Sequence, residues 1–579
     1  MYDVVVFGGT LIDGTGAAAR AADIGVRGGR VVEIAAPGAL RSSATRRIDA
    51  TGLVVSPGFI DIHTHHDAQV FWDPACTPSP LHGVTTVMAG NCGFTIAPLI
   101  GDSADYLMRM LARVEGMPLE ALQVGVPWNW RTTAEFLDRV DEVGPVMNMG
   151  FMVGHSALRR SVLGPRSAEG VANEDDVDTM RSLLADGLAA GGIGFSSSWS
   201  ATHCDEAGDP VPSRASSTEE LVALSEVTSR YSGTQLEFAP TNVGFDERHV
   251  DTMVRMSAAA RRPLNWSIYM PASAQRAASL AKVDVFDAAA RRAARVHALM
   301  YPGVLTVRAS FLGAAFDSLP GWSKMLASSH ESKLAALRDP VERAHLDVAA
   351  RSPREDGTMH DSARWADMVV QQTFAPETAH FEGRRIGDIA TERSRDPFDI
   401  LCDIAIADDL RTGVVPYATG SDDASWELRE AAWRDPRVLL GASDAGAHLD
   451  LISTFDWCTA FLALNRVRQV LTLEHAVHRI TGALAAVYGI RDRGVLAVGS
   501  AADIVVFDAA TIAPGPVRWR QDLPGGAGRL YGEGVGIEHV LVNGVEVVTH
   551  GALTGAQPGG VLRSGRDTIT VPVGRIEGS

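Results

Sequence analysis

With 579 residues and a formal net charge of −18, this chain is poorly matched to nucleic acid or to an anionic membrane surface, since both call for a basic face. Its length exceeds one simple core, so at least two domains are expected, and 46% apolar with 21% charged residues is ordinary for a globular protein. Five scattered cysteines (Cys76, Cys92, Cys204, Cys402 and Cys458), a start without a signal-peptide pattern and no apolar run of about 18 residues point to a cytoplasmic protein without a membrane span.

The first 56 residues read as short strands: Val4-Val5-Val6-Phe7 before Gly8-Gly9, Ile24-Gly25-Val26 before Gly28-Gly29, then Val31-Val32-Glu33-Ile34. From about 57 to 490, apolar runs alternate with helical stretches, the βα pattern of a parallel barrel. Eight candidate strands end at His63, Cys92, His155, Ser197, Phe238, Ser267, Arg308 (Val304–Arg308) and Asp444 (Val438–Asp444). The stretch from about 309 to 437 is far longer than an ordinary connection and is expected to be an inserted helical cap. From 491 to 579, Ala502–Asp508 and a hairpin turning at Asn543-Gly544 are strands again. The two chain ends are therefore expected to pair into one small β-sandwich beside the barrel.

Chemistry concentrates at Pro57-Gly58-Phe59-Ile60-Asp61-Ile62-His63-Thr64-His65. Residues i and i+2 of a strand point the same way, so both imidazoles project together from one strand end. Cys92, in Gly90-Asn91-Cys92-Gly93, follows the next apolar run. Zinc accepts imidazole and thiolate together, and one metal with an open position activates water near neutral pH. Strand C-termini are where parallel barrels carry their active sites. A metal-dependent hydrolase is the reading. Only three lysines occur (Lys282, Lys324, Lys333), none near the first six strand ends, so a carboxylated-lysine bridge is not expected.

These residues resemble the amidohydrolase superfamily, and within it the D-aminoacylase (N-acyl-D-amino-acid deacylase) branch. Further parts of the likeness are His82-Gly83-Val84-Thr85-Thr86-Val87, Gly154-His155-Ser156-Ala157-Leu158-Arg159, Ser443-Asp444-Ala445-Gly446-Ala447-His448, Arg493–Gly499 with Ala502-Asp503, Val542-Asn543-Gly544 and Pro558–Arg563. The resemblance implies a distorted (β/α)8 TIM barrel carrying a β-sandwich from both ends, and one or two divalent ions, most simply Zn2+. It implies that His63, His65, Cys92 and Asp444 are ligands. It also implies that Asp444 is the catalytic residue, taking a proton from a metal-activated water and passing it to the leaving amine. The implied substrate is an N-acyl-D-amino acid or related N-acyl amine, and a homo-oligomer is implied as well.

The chain departs from the related deacylases at two strand ends. They place a histidine on the fifth strand and another on the sixth, where this chain reads Thr234-Gln235-Leu236-Glu237-Phe238 and Leu264-Asn265-Trp266-Ser267. Glu237 is the candidate to replace one imidazole, since carboxylates bind zinc well. His155, Arg159, His203 and Arg214 are the candidate substrate contacts, with His155 also suited to the oxyanion. His448 is placed to orient Asp444, and His66 and His82 are read as outlying residues. Trp72, Trp128, Trp130 and Trp199 are candidates for an apolar acyl pocket, with core packing as the commoner use. Two other readings stand beside the leading one: a hydrolase of a cyclic amide, carbamate or ester, and a metal-free binding or scaffold protein.

Overall fold

The computed structural model describes residues 1–40, 44–241, 244–316, 319–353, 361–416 and 420–574. The parts of the expected cap at 317–318, 354–360 and 417–419 lie outside them, as do 41–43 and 575–579 of the expected sandwich.

The first five strands are β1 (Tyr2–Leu11), β2 (Arg20–Arg27), β3 (Arg30–Ala35), β4 (Ala44–Asp49) and β5 (Val54–Pro57). The barrel strands are β6 (Phe59–Thr64), β7 (Val84–Ala89), β8 (Asn148–Gly154), β9 (Gly194–Ser198), β10 (Gln235–Ala239), β11 (Leu264–Trp266), β12 (Val296–Met300) and, after the short pair β13 (Val369–Gln372) and β14 (Gly413–Val415), β15 (Val438–Leu440). The chain then returns through β16 (Ile504–Phe507), four short strands β17 (Ala513–Pro514), β18 (Arg518–Arg520), β19 (Arg529–Tyr531) and β20 (Gly534–Val535), and β21 (Ile537–Val542), β22 (Val545–Thr549), β23 (Ala552–Leu553) and β24 (Val561–Leu562).

The eight barrel strands form one curled parallel sheet in the order β6-β7-β8-β9-β10-β11-β12-β15, with β24 added beside β8. The curl closes where Thr64 bridges Ala445 and the His65 N–H donates to the Ala445 carbonyl at 2.7 Å. β6 to β10 are buried along their whole length, as expected of strands covered on both faces. The chain ends share a second sheet, β23-β22-β21-β16-β5-β1-β2-β3, with β4 paired to β1. Its seam is the antiparallel pair β5·β16, which sets Val55 opposite Val506. The Asn543-Gly544 hairpin turn has both residues at positive φ (48° and 79°), as a type I′ turn requires.

Two elements differ from the sequence reading. The apolar run Leu53-Val54-Val55-Ser56-Pro57-Gly58-Phe59-Ile60-Asp61 is continuous enough to read as a single buried strand, yet it forms two, β5 and β6, and the chain changes sheets at Gly58. A Cβ there would stand 2.0 Å from Thr85 Oγ1, so only glycine lets the backbone cross so close to β7. The seventh barrel strand is Val296–Met300, not Val304–Arg308. Pro302-Gly303 ends the strand, and the later segment finds only an isolated antiparallel bridge, Val307 to Ile452. The buried His297 inside the true strand masked its apolar pattern. Within the long insertion, residues from Ala309 to Val414 hold an apolar cluster of their own.

The barrel is tied to the terminal sheet by Asp503, which is buried and accepts from Asn543 N–H (2.7 Å), Asn148 Nδ2 (3.1 Å) and Arg493 Nη1. Removing one partner of such a network strands the others. Asp503→Ala is expected to cost about 3–5 kcal/mol, seen as a lower urea midpoint with activity per folded molecule preserved.

Candidate metal centre

β6 ends at Thr64, and His63 and His65 bracket it with ring centroids 5.6 Å apart. Both side chains are about 2% exposed. Cys92 follows β7 in a short turn and adopts φ 55°. Asp444 follows β15 at φ 48°. Two non-glycine residues in the left-handed region at one site mark backbone held there by its surroundings.

Donor atoms of His63, His65 and Cys92 lie within 4.8 Å of one another. Cys92 Sγ is 3.5 Å from His63 Nε2. Asp444 Oδ1 is 3.1 Å from His63 Nε2 and 3.7 Å from His65 Nε2. The Asp444 side chain is 26% exposed, so solvent and substrate approach the cluster at this residue. Its seat is fixed from behind: Ser443 Oγ donates to the His63 carbonyl at 3.1 Å.

The charges are those of a site built around a cation. Burial alone would lower His65, yet the Glu115 carboxylate, hydrogen bonding to Asp444 and the charges of Asp444 and Asp67 raise it to about 9. Burial alone would raise Asp444, and hydrogen bonds from His63 and His65 overcome this and hold it well below the usual carboxylate range. The Cys92 thiol is pushed far up by burial and by Glu237, Glu115 and Asp444. A divalent ion reverses that penalty, because it favours the thiolate directly. His63 Nδ1 and His65 Nδ1 are buried without a hydrogen-bond partner, while the Nε2 atoms of both rings face Asp444. The residues fit a metal ion.

Glu237 is fully buried on β10. Its Oε2 accepts from the Cys92 N–H at 2.7 Å and its Oε1 from Ser267 Oγ at 2.9 Å. Oε1 also stands 4.0 Å from His63 Nδ1, on the opposite side of the ring from the Nε2 that faces Cys92 and Asp444. The two strand ends without histidine thus meet each other through a carboxylate and a hydroxyl.

The expected substrate contacts separate into two groups. His155 is fully buried, and its two ring nitrogens hydrogen-bond with Ser197 Oγ and Glu220 Oε1, each at 2.8 Å. Arg159 grips the same Glu220 through Nη1 (2.6 and 2.5 Å). This buried His–Glu–Arg set leaves His155 no ring nitrogen to offer. His203, with Nδ1 2.7 Å from Ser198 Oγ and its ring edge-on to Phe94, lies close enough to feel the charges of His448, His65 and Asp444. Arg214 supports it by donating to its carbonyl at 3.0 Å.

Trp128 and Trp130 stack on each other, and Trp130 also stacks on Phe71, which is core packing. Trp72 packs against the Ala121–Leu449–Leu523 cluster. Trp199 lies edge-on to Phe238 beneath Arg248. A cavity beside Asp444 is lined by His66, Thr77, Leu449, Phe455 and Arg529 among others. Sequence reasoning passed over Glu115, Asp67 and Asp61. Glu115 lies in no motif, whereas Asp61 stands in the Pro57–His65 run, two residues before His63, and receives the His63 N–H (3.3 Å) and Trp457 Nε1 (3.0 Å).

Residues 46–548 match the model of the amidohydrolase family. An uncharacterized protein of Mycobacterium tuberculosis is 31% identical over 545 residues, 88% of this chain and 84% of that protein. The N-acyl-D-glutamate deacylase of Alcaligenes xylosoxydans xylosoxydans is 29% identical, covering 97% of this chain and 96% of the enzyme. A solved structure of D-aminoacylase, an enzyme with a binuclear metal centre, is 26% identical with a TM-score of 0.64, covering 97% of this chain and all of that one. With the barrel, the converging His63, His65 and Cys92, and a family match across most of its length, this chain belongs to the amidohydrolase family and is a hydrolase of amide-type C–N bonds.

Proposed function

We propose that the protein deacylates an N-acyl-D-amino acid or related N-acyl amine, with Zn2+ held by His63, His65, Cys92 and Asp444. The observation that carries this reading is the convergence of two imidazoles and a thiol with Asp444 3.1 Å from His63. The similarity to D-aminoacylase and N-acyl-D-glutamate deacylase along nearly the whole chain supports the substrate class. When bound, the ion supplies a Lewis acid that polarises the scissile carbonyl and acidifies water.

The chain's own residues do the rest. Asp444 is ionised and partly exposed, so it accepts the proton of the attacking water and returns it to the leaving nitrogen as the C–N bond breaks. His63, His65 and Cys92 stay buried and hold the centre rigid. Glu237 belongs to the same centre, fastening the Cys92 turn to β10 and Ser267. His203 and Arg214 lie on the substrate side of the cluster. Five free cysteines support a cytoplasmic, reducing setting, and a homo-oligomer is part of the same proposal. Among the described residues no helix is long and apolar enough to cross a membrane.

The test is elemental analysis combined with amine release from paired N-acyl-D- and N-acyl-L-amino acids. We expect about one or two zinc ions per chain, D-selective turnover, loss of turnover on chelation and its return with added Zn2+. Metal uptake without amine release from any acylated amino acid would turn the search to cyclic amides, carbamates and esters. No uptake at all would leave a binding protein.

A further inference from the structure

Both metal-facing imidazoles share one orientation. Nε2 of His63 and of His65 points to the Cys92 and Asp444 side of the cluster, and Nδ1 of each points away, toward a carboxylate. Behind His63 that carboxylate is Glu237 at 4.0 Å. Behind His65 it is Glu115, whose Oε1 is 3.6 Å from Nδ1. The other oxygen of Glu115 lies 3.7 Å from His448 Nε2, and its backbone carbonyl accepts the His448 N–H. One residue therefore touches a first-strand imidazole and the loop that carries Asp444.

The location of Glu115 argues against an ordinary structural role. It caps the C-terminus of the helix Ser103–Val114, where the backbone carbonyls converge and oppose a negative charge. It is nevertheless almost fully buried, with its side chain 4% exposed. A carboxylate put there gains nothing for the helix. What it has instead is the His65 imidazole, with Nδ1 3.6 Å from its carboxylate. Imidazoles that ligate metals generally donate their other ring N–H to a carboxylate, which fixes the tautomer and raises ligand basicity.

We propose that Glu115 is a positioning residue of the metal centre: it takes the Nδ1–H of His65, presents His65 Nε2 to the ion, and pins the Asp444–His448 loop to the same spot. This rests on the metal-centre reading above and is tested on metal binding rather than on turnover. Glu115→Gln keeps the shape and removes the charge. The zinc dissociation constant, measured by chelator competition, is expected to rise about 10–100-fold, with far-UV circular dichroism and the melting temperature of the metal-free protein unchanged. In the Co2+-substituted protein the thiolate-to-cobalt absorption is expected to remain, because the ligands themselves are intact.

Unchanged zinc affinity in a folded Glu115→Gln protein overturns the proposal. So does a crystal structure of the zinc-loaded wild-type protein in which His65 ligates through Nδ1 or Glu115 itself contacts the ion. The supporting result is Nε2 ligation with Nδ1 within about 3.2 Å of Glu115. That crystal structure decides the matter even if the variant fails to fold. Wild-type protein that takes up no zinc overturns the metal-centre reading along with this inference, whereas zinc uptake with an indifferent Glu115 overturns this inference alone.

Discussion

Replacing Asp444 with Asn is expected to lower kcat by roughly 10²–10⁴-fold, the range that a positioned acid–base group contributes. Asparagine keeps the shape of aspartate and tolerates the left-handed backbone that residue 444 adopts at φ 48°. It cannot accept the proton of an attacking water. The side chain is partly exposed, so its loss leaves no cavity in the barrel core. Steady-state kinetics of the metal-reconstituted variant, with melting temperature as the folding control, decide the point. A variant within tenfold of the wild type would remove Asp444 from proton transfer.

The second large effect concerns Cys92. Cys92→Ala is expected to weaken zinc binding by at least about 100-fold, beyond what loss of an outer partner costs, so that purified protein carries almost no metal. The thiol makes few stabilising polar contacts in the metal-free protein, where its nearest polar neighbours are His63 Nε2 at 3.5 Å and Ser267 Oγ at 4.0 Å. The folded metal-free variant should therefore lose only about 1 kcal/mol. Cys92→Ser separates thiolate from shape: restored metal in the serine variant would mean that a soft ligand is unnecessary. Full zinc content in Cys92→Ala would take the residue out of the ligand set.

Several of these features are legible in one dimension. The parallel barrel follows from apolar runs alternating with helices, and seven of its eight strands lie where those runs stand. The hairpin at Asn543-Gly544 follows from turn chemistry alone. The sequence points to Val304–Arg308 for the seventh strand, rather than Val296–Met300, because His297 interrupts the apolar pattern of the true strand and the later run is the more strand-like of the two. His155 stands in the family motif, but its fate depends on Glu220, a helix residue 65 positions away whose approach no local pattern announces.

What the sequence by itself determined is the direction of the His-x-His pair and that a thiol and a carboxylate follow two other barrel strands. Those depend on strand periodicity and side-chain chemistry, which are local properties. Only the tertiary structure decided that Glu237 and Ser267 join where two histidines are absent, and that Glu115 backs His65. These groups meet because separate strand ends and loops pack around one barrel mouth. A carboxylate carries no mark in the chain of which distant imidazole it will face once burial has removed the water between them.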